Sequence, residues 1–161
     1  MGLLCVSMSG AAIGATRRHS TLDDLATSAS RIFRGICETV DTGSVVVAGA
    51  RLPMTTYTFR VSERLKGSGG ARLTFHQIGA PGGGPSDLGT LAGLPVYSVG
   101  HEYLLFLLPE SRAGLTSPAG AAQGAFEILD EKARSLRDVP GDPHLDSYKN
   151  LRHEILRRVS R

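Results

Sequence analysis

Tryptophan is absent from this chain, aromatic residues make up only 6%, and there are two cysteines, Cys5 and Cys37. Two thiols can supply neither a tetrahedral zinc site nor a disulfide framework. No run reaches the ~18 apolar residues of a transmembrane helix. Nucleophile motifs are missing too: there is no G-x-S-x-G, and neither cysteine has a neighbouring histidine signature. His101 and His153 each precede a glutamate, but the second histidine of H-E-x-x-H is replaced by Leu105 and Arg157. That zinc motif needs two imidazoles one helical turn apart. His19, His76 and His144 have no ligand spacing either. Residues 79–87 (GAPGGGPSD) lack the Gly-Lys-Ser/Thr of a phosphate loop, Pro85 offers no N–H, and no clear helix follows. The stretch reads as a plain loop. Asp23-Asp24 and Asp130-Glu131 read as cap and turn residues. The sequence thus names no catalytic, cofactor-binding or metal residue, and the chain reads as non-enzymatic.

What is present suits one globular domain. The chain has 161 residues, 41% apolar and 20% charged, an ordinary balance for a folded protein. A chain of this length buries enough surface to fold without staples. Its 20 Gly and 8 Pro favour short strands and many turns. The net charge is +3 and the pI about 9.1. Much of the excess lies at the end, in Lys149, Arg152, Arg157, Arg158 and Arg161, where cations suit a helix C-terminus. Nucleic-acid binders carry a denser, clustered excess, so nucleic acid is an unlikely partner on composition.

The start of the chain (LLCVSMSGAAIGA, residues 3–15) is apolar and small, and AIGA at 12–15 resembles a cleavage site. The positive n-region of an export signal is missing. Residues 1–19 are expected to be a leader-like or disordered segment, and residues 20–161 a single domain. The expected location is secreted or cell envelope, with the cytoplasm as the alternative.

Along the domain, residues 20–26 (STLDDLA) read as a capped helix start. Residues 31–40 (RIFRGICETV) read as a strand with Ile32, Ile36 and Val40 on one face and Phe33, Gly35 and Cys37 on the other. Cys37 is then a lone buried thiol. Asp41-Thr42-Gly43-Ser44 reads as a turn before a short strand at 45–47. Residues 55–65 (TTYTFRVSERL) alternate most clearly. Tyr57, Phe59, Val61 and Leu65 point one way; Thr56, Thr58, Arg60, Ser62 and Arg64 point the other. Residues 72–78 (RLTFHQI) complete a hairpin. The run 104–108 is continuously apolar, as in a strand covered on both faces, and Pro109 stops it. Residues 125–129 and 133–136 flank a second hairpin turn. Leu145, Tyr148, Leu151, Ile155, Leu156 and Val159 then recur at helical spacing. The pattern predicts a mainly β fold, an OB-like barrel of five to seven strands or a small sandwich, with a short N-terminal helix and a C-terminal amphipathic helix.

Several phrases carry a resemblance. IFRG at 32–35, YTFRV at 57–61 with LKG at 65–67, GHEYLLFL at 100–107 and QGAFEI at 123–128 occur in order. Together they resemble bacterial exported proteins with a netrin/TIMP-like OB-barrel domain, over roughly residues 21–136. The resemblance implies a secreted protein-binding module, with an extracellular protease among the partners it suggests. TIMP-type inhibitors place an N-terminal cysteine on the protease zinc. This chain has no cysteine at the start of the expected mature domain, so inhibition and its residues do not carry over. The expectation is a non-catalytic protein-binding module with no cofactor. An OB-fold nucleic-acid or polyanion binder is the alternative. It would need aromatic platforms beside a basic groove, whereas Tyr57 and Phe59 share their face with Val61 and Leu65.

Overall fold

The computed structural model describes residues 19–84, 87–137 and 145–160. Cys5, His144, Arg161 and all of the leader-like segment except His19 lie outside these residues. The described chain runs α1 (Leu22–Ser28), β1 (Arg31–Val47), β2 (Ala50–Lys66), β3 (Arg72–Ile78), α2 (Leu88–Leu91) and β4 (Glu102–Leu107). A single 3₁₀ turn, β5 (Ala125–Leu129), β6 (Lys132–Ser135), β7 (Leu145–Ser147) and α3 (Tyr148–Val159) complete it. Thr21 caps α1 and Asp24 reciprocates in a capping box, which satisfies two of the helix's free N–H groups.

All seven strands pair antiparallel in one sheet, in the order β3-β2-β1-β4-β5-β6-β7. The mainly β expectation and the strand count hold. The strand ladder itself is open: among the described residues β3 and β7 do not pair with each other. A short segment connects distant parts of the sheet. Thr116 N–H donates to His76 O at 2.8 Å, Leu108 N–H to Ser117 O at 3.0 Å and Ala119 N–H to Phe106 O at 2.7 Å. Residues 116–119 thus link β3 to the end of β4.

Four local expectations are corrected. Leu65 does not share the face of Tyr57, Phe59 and Val61, because the register shifts at Ile32/Phe33 and Arg34/Gly35 turn it to the helix-covered cluster. Residues 41–44 are not a turn; β1 continues unbroken to Val47. The chain reverses at Ala48-Gly49, whose φ values are 49° and 81°. Left-handed backbone at both central positions is the tight hairpin geometry that matches strand twist. Ile32 and Val40 do not share a face. A bulge between Cys37 and Thr39 inserts one residue and reverses the alternation, so Val40 packs with the Phe33 side of the sheet. Leu145 lies in β7, not in the terminal helix.

Two apolar clusters sit on opposite faces of the sheet. One is aromatic: Phe33, Tyr57, Phe59, Phe75, Tyr97 and Tyr103, with Cys37, Leu105 and Leu107. Tyr97 comes from the connection before β4, and its ring meets Tyr57, Phe59, Phe75 and Tyr103 at 4.8–6.1 Å. The other packs Ile32, Leu104 and Phe106 against Leu25 of α1 and Leu151 and Ile155 of α3. β4 belongs to both, as its apolar run requires. Each fully buried Leu or Phe contributes about 1.5–3 kcal/mol.

Arg34 fastens α3 to the sheet. Its guanidinium makes two 2.8 Å bonds to Glu102 of β4 and bonds of 2.6 and 3.0 Å to Glu131 in the β5–β6 turn. It also lies 4.3 Å from the centre of the Tyr148 ring. The Tyr148 hydroxyl and Arg152 in turn bind Glu63 of β2 at 2.6 and 2.5 Å. The hydrogen bonds to Glu131 and then Glu102 hold Arg34 charged well above the ordinary arginine range, against the opposing effect of burial.

Arg34→Ala leaves Glu102 and the Tyr148 face without their partner. Stability measured by urea unfolding is expected to fall by about 3 kcal/mol, and Arg34→Lys to recover only part, because an ammonium cannot serve two carboxylates bidentately. Ala48→Asn relieves the strain of a left-handed alanine. Amide protection in the β1–β2 hairpin is expected to rise about twofold to fivefold by hydrogen exchange, the equivalent of about 0.5–1 kcal/mol.

Candidate protein-binding surface

The continuous β1 creates an arm. β4 pairs with β1 only over residues 31–36, and β3 pairs with β2 only over residues 54–60. Beyond these limits residues 44–47 and 50–53 pair, strand with strand, only with each other. An isolated two-stranded ribbon is marginal in water, so the body of the sheet anchors this one. Directly opposed residues share a face. Gly43/Met54, Val45/Leu52 and Val47/Ala50 therefore make one arm face wholly apolar, while Ser44/Pro53 and Val46/Arg51 make the other mixed. Met54 is also opposite Ile78 of β3, so the apolar row runs onto the sheet. No helix covers this row among the described residues.

Two loops meet the base of the arm. Gly79 N–H donates to Pro53 O at 2.8 Å, and the Thr55 hydroxyl donates to Gly79 O at 2.7 Å. The Asp87 carboxylate caps α2 and accepts from the N–H groups of Ala80, Gly89 and Thr90 at 2.9–3.2 Å. The glycine-rich stretch is thus followed by a one-turn helix after all, and an internal acid fills the site where a phosphate would sit. Gly79 permits the fit: a Cβ there would lie 2.6 Å from Asp87 Oδ2, and its φ is 98°. The second loop, residues 92–101, delivers Tyr97 inward and exposes Val96 and Val99. Among the described residues five large apolar side chains are exposed; Val46 lies in the arm, Leu88 in α2, and Val96 and Val99 in the second loop.

The cleft between these parts is lined by Thr55, Tyr57, Gln77, Asp87, Leu94 and Val96 and measures about 40 Å³. That accommodates a few waters, far less than the ~300 Å³ or more of a metabolite pocket. Gln77 donates from Nε2 to Pro95 O at 2.8 Å, and its buried Oε1 has no protein partner. One bridging water would satisfy it.

Other residues that the sequence singled out have structural partners. His101 sits beside β4 with Nδ1 2.7 Å from Glu127 Oε1, and Arg134 binds the other oxygen. Burial opposes ionisation of Glu127, but the bonds from His101 and Arg134 outweigh it and hold the carboxyl below the usual glutamate range. Sequence reading missed this trio, because Glu127 and Arg134 meet His101 only through strand pairing. His76 pairs with Thr56 on the outer face at 2.9 Å. Burial pushes the Cys37 thiol up to about 11, which leaves it protonated and unreactive at neutral pH. Asp23 pairs with Arg158, and Asp24 holds the α1 cap. Tyr57 and Phe59 are core residues with 1% and 0% exposure, so they offer no stacking platform. Arg152, Arg157 and Arg158 are each engaged in ion pairs, with Glu63, Glu154 and Asp23. Among the described residues no three His, Cys, Asp or Glu side chains group as a metal site, and no helix is long and apolar enough to cross a membrane.

No protein-family model and no curated protein matches the chain.

The depressed Glu127 carboxyl gives stability that is present above the ordinary glutamate value near 4.5 and is lost as pH falls through the lower folded value. Glu127→Gln is expected to unfold at lower urea at pH 7 and to show a shallower loss of stability below pH 4.5. An unchanged acid slope counts against the pairing with His101 and Arg134.

Proposed function

We propose that this chain is a non-catalytic protein-binding module of an exported type, built on an OB-like barrel similar in plan to netrin/TIMP-like domains. In this reading residues 116–119 stand where a closing strand would lie between β3 and β4. The aromatic cluster on β1–β5, with Tyr97 at its centre, supports an interior of barrel type, since its members come from five strands and one plugging loop. The observation that carries the functional reading is the arm: a two-stranded ribbon with one apolar face that joins neither apolar cluster among the described residues, beside α2 and a loop that expose Leu88, Val96 and Val99. The partner is a protein outside the cytoplasm, and the resemblance places an extracellular protease within that class. Inhibition through a zinc-binding terminus forms no part of the reading.

The test pairs two measurements in the native host. The mature N-terminus is expected near Thr16 in the secreted or envelope fraction, by mass spectrometry of the fractionated protein. Tagged chain is expected to capture a defined protein from that fraction. A variant in which residues 44–52 are replaced by a short turn is expected to keep its circular dichroism and lose the capture. An intact Met1 confined to the cytosol, or capture indifferent to the arm, overturns the reading. Capture only of nucleic acid, lost with added salt, favours the polyanion alternative.

A further inference from the structure

The arm has two edges, and they are not equivalent. On β2 the free stretch is short, holds Arg51, and ends at Pro53, which has no N–H and whose carbonyl is taken by Gly79. These are the devices with which natural sheets blunt an edge. On β1 the last backbone partners on the β4 side are His101 and Gly100, both bonded to Cys37. From residue 39 to Val47 no described strand pairs with that edge. Its sequence, TVDTGSVVV, contains neither Lys nor Pro. Apart from the bulge at Cys37/Thr39 and the acid Asp41, the edge carries none of these devices.

The side chains along it define what would fit. The pairings put Thr39, Asp41, Gly43, Val45 and Val47 on the outer face, beside Thr58, Thr56, Met54, Leu52 and Ala50. Asp41 makes no hydrogen bond or ion pair among the described residues. Glu38, one step beyond the edge, is already held by Arg60 at 3.4 Å and Arg72 at 2.7 Å. The edge therefore has one unneutralised acid at its inner end and an apolar run toward its tip. A second copy would bring the same acid and no cation from its own edge.

We propose that residues 39–47 of β1 form a strand-addition site for an extended segment of a partner protein, apolar along most of its length with a Lys or Arg facing Asp41. Main-chain hydrogen bonds would supply affinity, and the side chains flanking Asp41, Gly43 and Val45 would supply register. The inference rests on the protein-binding reading above and adds to it the site and the chemistry of the partner.

The probe is a fluorescent peptide of alternating valine and threonine, as long as the edge, with lysine at one end. A second version carries glutamate there, and a third carries proline at alternate positions. By anisotropy, the full chain is expected to bind the lysine peptide about threefold to fivefold more tightly than the glutamate peptide, the range of an exposed ion pair, and to ignore the proline peptide. Asp41→Lys is expected to reverse the preference without changing the circular dichroism, and bound peptide to protect amides of residues 39–47 from exchange. Absence of peptide binding, indifference to end charge, or protection elsewhere overturns the proposal. So does protection of 39–47 that grows with protein concentration alone, which assigns the edge to a second copy. If the host partner depends on the arm but not on Asp41 and no peptide binds, strand addition fails while the protein-binding reading stands.

Discussion

β4 sets the terms for the rest of the molecule. After Glu102 it carries no charged side chain, its one polar side-chain atom being the Tyr103 hydroxyl that accepts from Ser98 N–H, and Tyr103 through Leu107 are all buried. A strand of this kind cannot lie at a surface, so both faces of the sheet must be covered where it runs. On one face the cover is aromatic and comes mainly from strands, with Tyr97 brought in by a loop. On the other the cover is the pair of helices α1 and α3, which are far apart in sequence and adjacent in space. The helices are too short to be stable alone. They exist because β4 and its neighbours give their apolar faces something to bury.

The Arg34 network shows how a polar group survives at that helix-covered face. Arg34 lies in line with Ile32, on the side that α3 covers, where an unpaired cation would be costly. Glu102 and Glu131 satisfy the guanidinium, and the Tyr148 ring covers it. Tyr148 thereby begins α3 where the sheet needs it, and Glu63 ties the same helix end to β2. The Arg34 side chain joins β1 to β4, the β5–β6 turn and α3, and Tyr148 carries the connection on to β2. An apolar residue at position 34 could fill the volume but would leave the half-buried Glu102 with only the Ser62 hydroxyl. The network is better understood as fixing the helix's place than as a large source of net stability, since charge pairing is offset by desolvation.

Much of this architecture is legible in the sequence where one physical rule acts alone. Thr21 and Asp24 form the expected cap, residues 55–78 the expected hairpin, and the β4 run announces its double burial. The failures occur where a second rule intervenes. Gly43 between polar neighbours looks like a turn, yet the reversal falls at Ala48-Gly49, where an alanine occupies a left-handed position that alanine seldom takes. The bulge at Cys37/Thr39 breaks a parity that periodicity assumes constant, and sends Val40 to the opposite face. Glu127 could not be linked to His101 from spacing, because only the β4–β5 register joins them. The arm was illegible for the first of these reasons: once residues 41–44 are read as a turn, β1 breaks into two short strands and β2 is not followed back beyond Thr55.

The arm also departs from the economy of the rest of the chain. Elsewhere in the sheet, exposed polar side chains find neighbours: Glu38 settles Arg60 and Arg72, and Thr58 meets Thr74 across the strands. In the arm Asp41 stands unpaired among the described residues, while Val45 and Leu52 are half-buried and join neither apolar cluster. Burial in the domain does not account for the five apolar residues there, since none of them joins either apolar cluster among the described residues. Turn formation cannot account for them either, because the reversal needs only Ala48 and Gly49. The same length of ribbon with alternating threonine and lysine would hold its register on the anchored ends and shed the hazard of an open apolar edge. A sequence that retains the hazard on the β1 edge while blunting the β2 edge with Arg51 and Pro53 distinguishes two sides of one ribbon. Within the arm the fold uses the β2 edge only where Gly79 N–H reaches Pro53 O and, among the described residues, uses the β1 edge nowhere beyond Cys37; contact with another chain on the β1 side, as proposed above, would account for the asymmetry.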